Sequence, residues 1–156
     1  MAVYTEVNDD DLSAFLARYD VGSLVAYKGI AEGVENTNYL VQTTTARFIL
    51  TLYEKRVARE DLPYFLGLME HLAARGVSCP TPVRARSGEI LSTLADRTAA
   101  MVTFLDGFSV KKPKAEHCGQ LGRALAELHM AADGFRRSRA NALGESGWRP
   151  LFEKFR

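Results

Sequence analysis

Asn38-Tyr-Leu-Val-Gln-Thr-Thr-Thr-Ala-Arg-Phe-Ile-Leu-Thr-Leu-Tyr-Glu54 is the stretch whose reading decides the fold. Two runs rich in Val, Leu, Ile, Tyr and Phe, 38–43 and 47–54, flank the short polar break Thr44-Thr45-Ala46. Such side chains favour extended backbone, and so short a break turns the chain straight back, which predicts an antiparallel pair. A third strand-like run, 23–30, precedes them, joined by Ala31-Glu-Gly-Val-Glu-Asn-Thr37.

Outward from this core the periodicity changes. Before it, Leu12, Phe15, Leu16 and Tyr19 follow helical spacing, with Asn8 or Asp9 as the cap and Gly22 as the stop. After it, a helix is predicted over 61–75, with Leu62, Phe65, Leu66, Met69 and Leu72 on one face. Pro63 is tolerated in its first turn, and Gly76 ends it. Cys79-Pro-Thr-Pro82 forces an extended segment. Two more strands are predicted over 89–94 and 98–105, turning at Ala95-Asp-Arg97. Asp106-Gly107 breaks the run, and Pro113 introduces a helix over 114–132 with Cys118, Leu121, Leu125, Leu128 and His129 on one side. A last short helix is predicted near 148–155, introduced by Ser146. The class is α+β: a five-stranded antiparallel sheet with one covering helix, a break at Asp106-Gly107, then helices. This is the small lobe of a kinase-like fold, 1–105, followed by a hinge and the start of a helical lobe, 106–156. Fold order alone does not fix function.

Composition excludes several classes. The 156 residues are 47% hydrophobic and 25% charged, ordinary for a soluble globular chain. A net charge of +1 gives no basic excess for nucleic acid. The acidic start Met1-Ala-Val-Tyr-Thr-Glu-Val-Asn-Asp-Asp10 is not a signal peptide, and no apolar run is long enough to span a membrane. Two distant cysteines, Cys79 and Cys118, fit a reducing cytoplasm, and with His71, His117 and His129 they match no zinc spacing.

Three places carry candidate chemistry. In the loop Gly29-Ile-Ala-Glu-Gly-Val-Glu-Asn-Thr-Asn38, small residues let backbone N–H groups approach a polyphosphate, and Asn36 and Asn38 add donors. The same letters also suit a plain hairpin loop. On the third strand a kinase needs a cation for the nucleotide phosphates, but Thr51 stands there, and Lys55 and Arg56 read as solvated charge. Met101, Val102, Phe104 and Leu105 suit an apolar adenine slot and equally a buried core strand.

Family likeness adds what spacing does not. Glu32-Gly-Val-Glu-Asn-Thr-Asn-Tyr39, Arg47-Phe-Ile-Leu-Thr-Leu-Tyr-Glu54 and the run from Asp61 to Cys79-Pro80 resemble type II homoserine kinases, of the aminoglycoside-phosphotransferase-like superfamily. Ala100-Met-Val-Thr-Phe-Leu-Asp-Gly107, His117-Cys-Gly-Gln-Leu-Gly-Arg-Ala-Leu-Ala-Glu-Leu-His129 and Asn141-Ala-Leu continue the match, although the Leu-Gly-x-x-Leu-Ala-x-Leu-His pattern is shared across the superfamily. The resemblance implies ATP-dependent phosphorylation of L-homoserine on the way to threonine, with Mg2+ neutralising the phosphates. It implies a phosphate-facing role for Glu32, Gly33, Val34, Glu35, Asn36 and Asn38, and an adenine-hinge role for Thr103, Phe104, Leu105, Asp106 and Gly107. It leaves Thr51 without its cation; Glu60 and Glu70 are the acidic candidates on the second helix.

The catalytic and metal-binding aspartates implied by the resemblance are expected beyond Arg156, and Asp133-Gly-Phe135 reads as a helix end with a turn. The chain is therefore expected to be a truncated or partial product, inactive alone, with its later apolar helix faces prone to self-association. Another small-molecule kinase of the superfamily, and a non-catalytic nucleotide-binding module, remain alternatives.

Overall fold

The computed structural model describes residues 3–32, 35–54, 58–141 and 144–153. Helix α1 (Asp9–Leu16) is followed by strands β1 (Leu24–Gly29), β2 (Thr37–Thr43) and β3 (Arg47–Tyr53). Helix α2 (Leu62–Ala73), strands β4 (Ser92–Leu94) and β5 (Arg97–Thr103), and helices α3 (Ala115–Ala131) and α4 (Glu145–Glu153) complete the order. The strands form one antiparallel sheet in the order β1-β2-β3-β5-β4.

The predicted hairpin is present, with Leu40 opposite Ile49 and Val41 opposite Phe48. Side chains alternate across a pleated strand. Tyr39, Val41, Phe48, Leu50, Leu52, Ala99 and Met101 accordingly share one face, which is fully covered. Its cover is α1: Leu12, Phe15 and Leu16 are buried in the same cluster, each stabilising the fold by about 1.5–3 kcal/mol. Asn8 caps this helix, its side chain accepting a hydrogen bond from the Asp11 N–H at 2.8 Å.

The sheet has a helix on each face rather than the single covering helix expected. The α2 residues Leu62, Leu66 and Leu72 are buried outside the α1 cluster, as is Ala100, which points away from Ala99 and Met101. Leu62 lines a cleft with Tyr53 and Thr98, both on that second face. Val7, Tyr19 and Val21, on either side of α1, join the same cluster and complete the cover.

Three boundaries also differ. Helix α1 stops at Leu16, well before Gly22, because Tyr19 leaves the helix to bridge Ala85. Gly22 instead serves a close approach: its φ is +77°, and a Cβ there would sit 2.3 Å from Thr44 Oγ1. Strand β4 has three residues, not the six expected over 89–94. Residues 85–89 are turned on themselves, with the Ala85 N–H donating to the Glu89 carbonyl. The β5 edge beyond Ala99 is already taken, since Val83 donates to the Met101 carbonyl and Thr103 to the Thr81 carbonyl. The last helix begins at Glu145, so Ser146 lies inside it; the residues expected to end it, 154–155, fall outside the described set. The β4–β5 turn is as predicted, with Ala95 and Asp96 both at positive φ, the geometry of a tight hairpin.

After α3 the chain runs back along α2. Arg139 pairs with Asp61 at 2.8 Å, Phe135 packs against Tyr64 and His71, and Arg137 lies beside Gly67. Among the described residues no helix is long and apolar enough to cross a membrane.

Candidate functional site

The second sheet face is the one left partly open. Strand pairing lines up two rows across it, Asn38–Thr51–Ala100 and Leu40–Ile49–Val102. Leu40, Ile49, Thr51 and Val102 are half-buried, whereas their neighbours on the α1 face are covered. The result is an apolar floor with an amide and a hydroxyl at one end.

At that end lies the loop predicted to face phosphate. Gly33 and Val34 fall outside the described residues; Glu32 and Glu35 are exposed and Asn36 and Asn38 half-buried. The Asn36 Oδ1 accepts the Glu54 backbone N–H at 3.3 Å. The Asn38 Oδ1 accepts the Thr51 hydroxyl at 2.7 Å. Both amide oxygens are thus occupied by the protein, and among the described residues neither NH2 group makes a hydrogen bond. Thr51, where a cation was expected, is a neutral partner of Asn38. Lys55 and Arg56 fall outside the described residues.

At the opposite end of β5 lies the predicted hinge. Thr103 is engaged twice with Thr81: its N–H donates to the Thr81 carbonyl and its hydroxyl accepts the Thr81 N–H, both at 2.9 Å. The Phe104 N–H donates to the Arg47 carbonyl at 3.3 Å. Asp106 forms an ion pair with Arg47. Among the described residues, Leu105 and Gly107 alone of the five hinge positions make no hydrogen bond. Leu105 lies five positions along the chain from Ala100, about 17 Å if fully extended. The loop and the predicted hinge therefore lie at opposite ends of this half-buried apolar face.

Residues 26–155 match the phosphotransferase enzyme family. This chain belongs to that family. It is 67% identical to a homoserine kinase of Azorhizobium caulinodans over 153 residues, covering 98% of the chain and 48% of the relative. It is 60% identical to a homoserine kinase of Parvibaculum lavamentivorans over 156 residues, covering 100% of the chain and 49% of the relative. The chain thus spans about half the length of the curated relatives it matches. Among solved structures, spectinomycin phosphotransferase in complex with ADP and spectinomycin superposes with a TM-score of 0.71 at 13% identity, over 96% of this chain and 46% of the other. A microcompartment-associated aminopropanol kinase superposes with a TM-score of 0.65 at 23% identity, over 93% and 49%. The fold of this phosphotransferase chain is that of the kinase-like small lobe, followed by helices α3 and α4.

Sequence reading missed two residues of the site's framework. Thr37 stands between the two named asparagines and is fully buried. Glu54 closes β3 and is the hub of a polar cluster: Oε1 accepts from Thr5 Oγ1 at 2.6 Å and Thr37 Oγ1 at 2.9 Å, and Oε2 accepts from Arg97 at 2.8 Å. Burial pushes the Glu54 carboxyl up, but the hydrogen bonds from Thr5, Thr37 and Arg97, with the Arg97 charge, outweigh it and hold the group below the ordinary carboxylate range. The available signal was a carboxylate at the end of an apolar strand, but its partners lie 17, 43 and 49 residues away. The acidic candidates on the second helix are placed differently. Glu70 is held by Arg84, through contacts of 2.7 and 2.9 Å, and Glu60 is exposed before α2.

Proposed function

We propose that residues 1–105 are the nucleotide-binding lobe, and 106–156 the hinge and first helices of the second lobe, of an ATP-dependent homoserine kinase. The reaction is transfer of the γ-phosphoryl group to the hydroxyl of L-homoserine, giving O-phospho-L-homoserine for threonine synthesis. One observation carries this reading: relatives named homoserine kinase are 58–67% identical to the chain over nearly all of it. The solved neighbours share only the fold, so they do not choose the substrate.

The residues present fit an adenine nucleotide. The Leu40, Ile49 and Val102 floor suits the base, the unbonded Leu105 N–H and the hinge backbone offer it a donor, and the Asn36 and Asn38 amides suit the phosphates. Two neutral amides and backbone N–H groups would do at this end what a lysine does in other kinases, with a weaker grip per contact. ATP brings the transferable phosphoryl group; these side chains bind and orient it. Among the described residues no group of three His, Cys, Asp or Glu is arranged to hold a metal ion; Mg2+ would neutralise the nucleotide phosphates. The free thiols Cys79 and Cys118 support a reducing, cytoplasmic setting.

A coupled assay with ATP, Mg2+ and L-homoserine on the full-length protein carrying this sequence tests the proposal. Homoserine-dependent ADP release is expected. ADP release that answers instead to an aminoglycoside or an amino alcohol would assign another small-molecule kinase, and none with any of them would reduce the chain to a nucleotide-binding module.

A further inference from the structure

Glu54 has no part in the roles assigned above, yet it is bonded to two consecutive residues at the loop's base, Asn36 and Thr37. Its backbone N–H holds Asn36, and its carboxylate holds Thr37. The donor to Asn36 is a backbone N–H, which can only donate, so Asn36 is fixed with Oδ1 inward and Nδ2 left over. Among the described residues that Nδ2 makes no hydrogen bond. Thr37 is pinned from the other side too: its hydroxyl accepts the N–H groups of Tyr4 at 2.9 Å and Thr5 at 3.2 Å. Tyr39 ties the same segment down, its hydroxyl donating to the Thr5 carbonyl at 2.8 Å. A carboxylate so near an anion site would ordinarily repel the anion. Here the charge is turned inward, onto two hydroxyls and the Arg97 guanidinium, with 12% of the side chain exposed.

We propose that Glu54 is a positioning residue for the nucleotide phosphates, acting through Asn36 and Thr37 to set the height of the loop's last residues above the sheet. The proposal rests on the nucleotide reading above. It assigns Glu54 no contact with substrate. It also gives the 3–7 segment a purpose, as the outer strap of the same clamp.

The test uses the full-length protein with Glu54→Gln and Glu54→Ala, read in two ways. The first needs no nucleotide: hydrogen exchange of the backbone amides at 35–38. The second is steady-state kinetics with ATP and the acceptor varied separately. Gln keeps an acceptor for the two hydroxyls but sets an NH2 against Arg97, so it loosens the clamp in part, and Ala removes it. Exchange at 35–38 should rise in the order wild type, Gln, Ala. The KM for ATP should rise in the same order, by about tenfold or more in Ala, with the acceptor KM unchanged and kcat within about threefold. A merely structural role would lower the fraction of active protein and leave the KM for ATP alone. Should both variants fail to fold, Thr37→Ala and Thr37→Ser take their place: Ala should behave as Glu54→Ala does, and Ser should restore wild-type exchange and KM.

Unchanged exchange at 35–38 overturns the proposal whatever the kinetics. Raised exchange with an unchanged KM for ATP also overturns it, and Asn36→Ala then locates the fault. If Asn36→Ala raises the KM for ATP, the loop meets the phosphates and only the role of Glu54 is wrong. If Asn36→Ala leaves it unchanged, the nucleotide reading of the loop falls as well.

Discussion

Arg47, the first residue of β3, is ion-paired with Asp106, and its guanidinium lies 4.6 Å from the centre of the Phe104 ring. The start of the central hairpin is thereby fastened to the place where β5 leaves the sheet. The Asp106 carboxylate thus faces β3. Both partners are substantially exposed, 44% and 81%, so solvent screens the pair and its worth is small. Arg47→Ala should lower unfolding stability by about 1 kcal/mol or less, ring contact included. Urea titrations at low and high salt check this, and the difference from wild type should shrink as salt rises.

The hinge reading is tested by Leu105→Pro. The Leu105 N–H makes no hydrogen bond among the described residues, so proline removes a donor without breaking the sheet. Nucleotide affinity of the full-length protein should fall, measured by calorimetric titration with ADP, while the melting temperature stays close to wild type. Unaltered affinity would mean the base is not held by that backbone.

Acid stability should report Glu54. Its folded carboxyl titrates below its unfolded one, so the unfolded chain binds the extra proton as pH falls. The stability it contributes is complete above the ordinary glutamate value, near 4.3, and is lost as pH drops through the lower folded value. Wild type should therefore lose stability more steeply than Glu54→Gln between about pH 5 and 3. Denaturant midpoints across that range decide it, and parallel slopes would contradict the assignment.

Leu50 sits fully buried at the centre of β3, opposite Tyr39 on one side and Met101 on the other. Leu50→Ala should cost about 2–5 kcal/mol, the range for an aliphatic core side chain whose surroundings relax only in part. The much more exposed Leu121, at 70%, should cost almost nothing when changed to alanine.

The apolar residues of the later helices bear on association. Leu121, Leu125, Trp148 and Phe152 are exposed by 70%, 50%, 63% and 69%. As an isolated polypeptide the 156-residue chain should self-associate through such surface, and Leu121→Lys with Leu125→Lys should reduce it. Sedimentation velocity over a concentration series reads the outcome directly; a monomer at all concentrations would refute it.

The sequence by itself determined the elements formed by local rules. The 38–54 hairpin follows from β-branched runs about a three-residue break, α2 from a helical apolar stripe with Pro63 at its start, and the β4–β5 turn from Ala95-Asp96. Those signals lie within a few residues of each other, so no knowledge of the fold is needed to read them. The sequence also named the loop asparagines and the hinge backbone as the candidate site. What only the tertiary structure decided depends on residues far apart in the chain. Residues 81–83 occupy the β5 edge and so shorten β4 to three residues. The α1 helix, with three acidic residues at its start, proves to be the lid of the main core. Glu54 reads locally as the last residue of the predicted 47–54 strand. Its role appears only when Thr5, Thr37 and Arg97 converge on it, because a carboxylate's function is set by what surrounds it rather than by its neighbours in sequence.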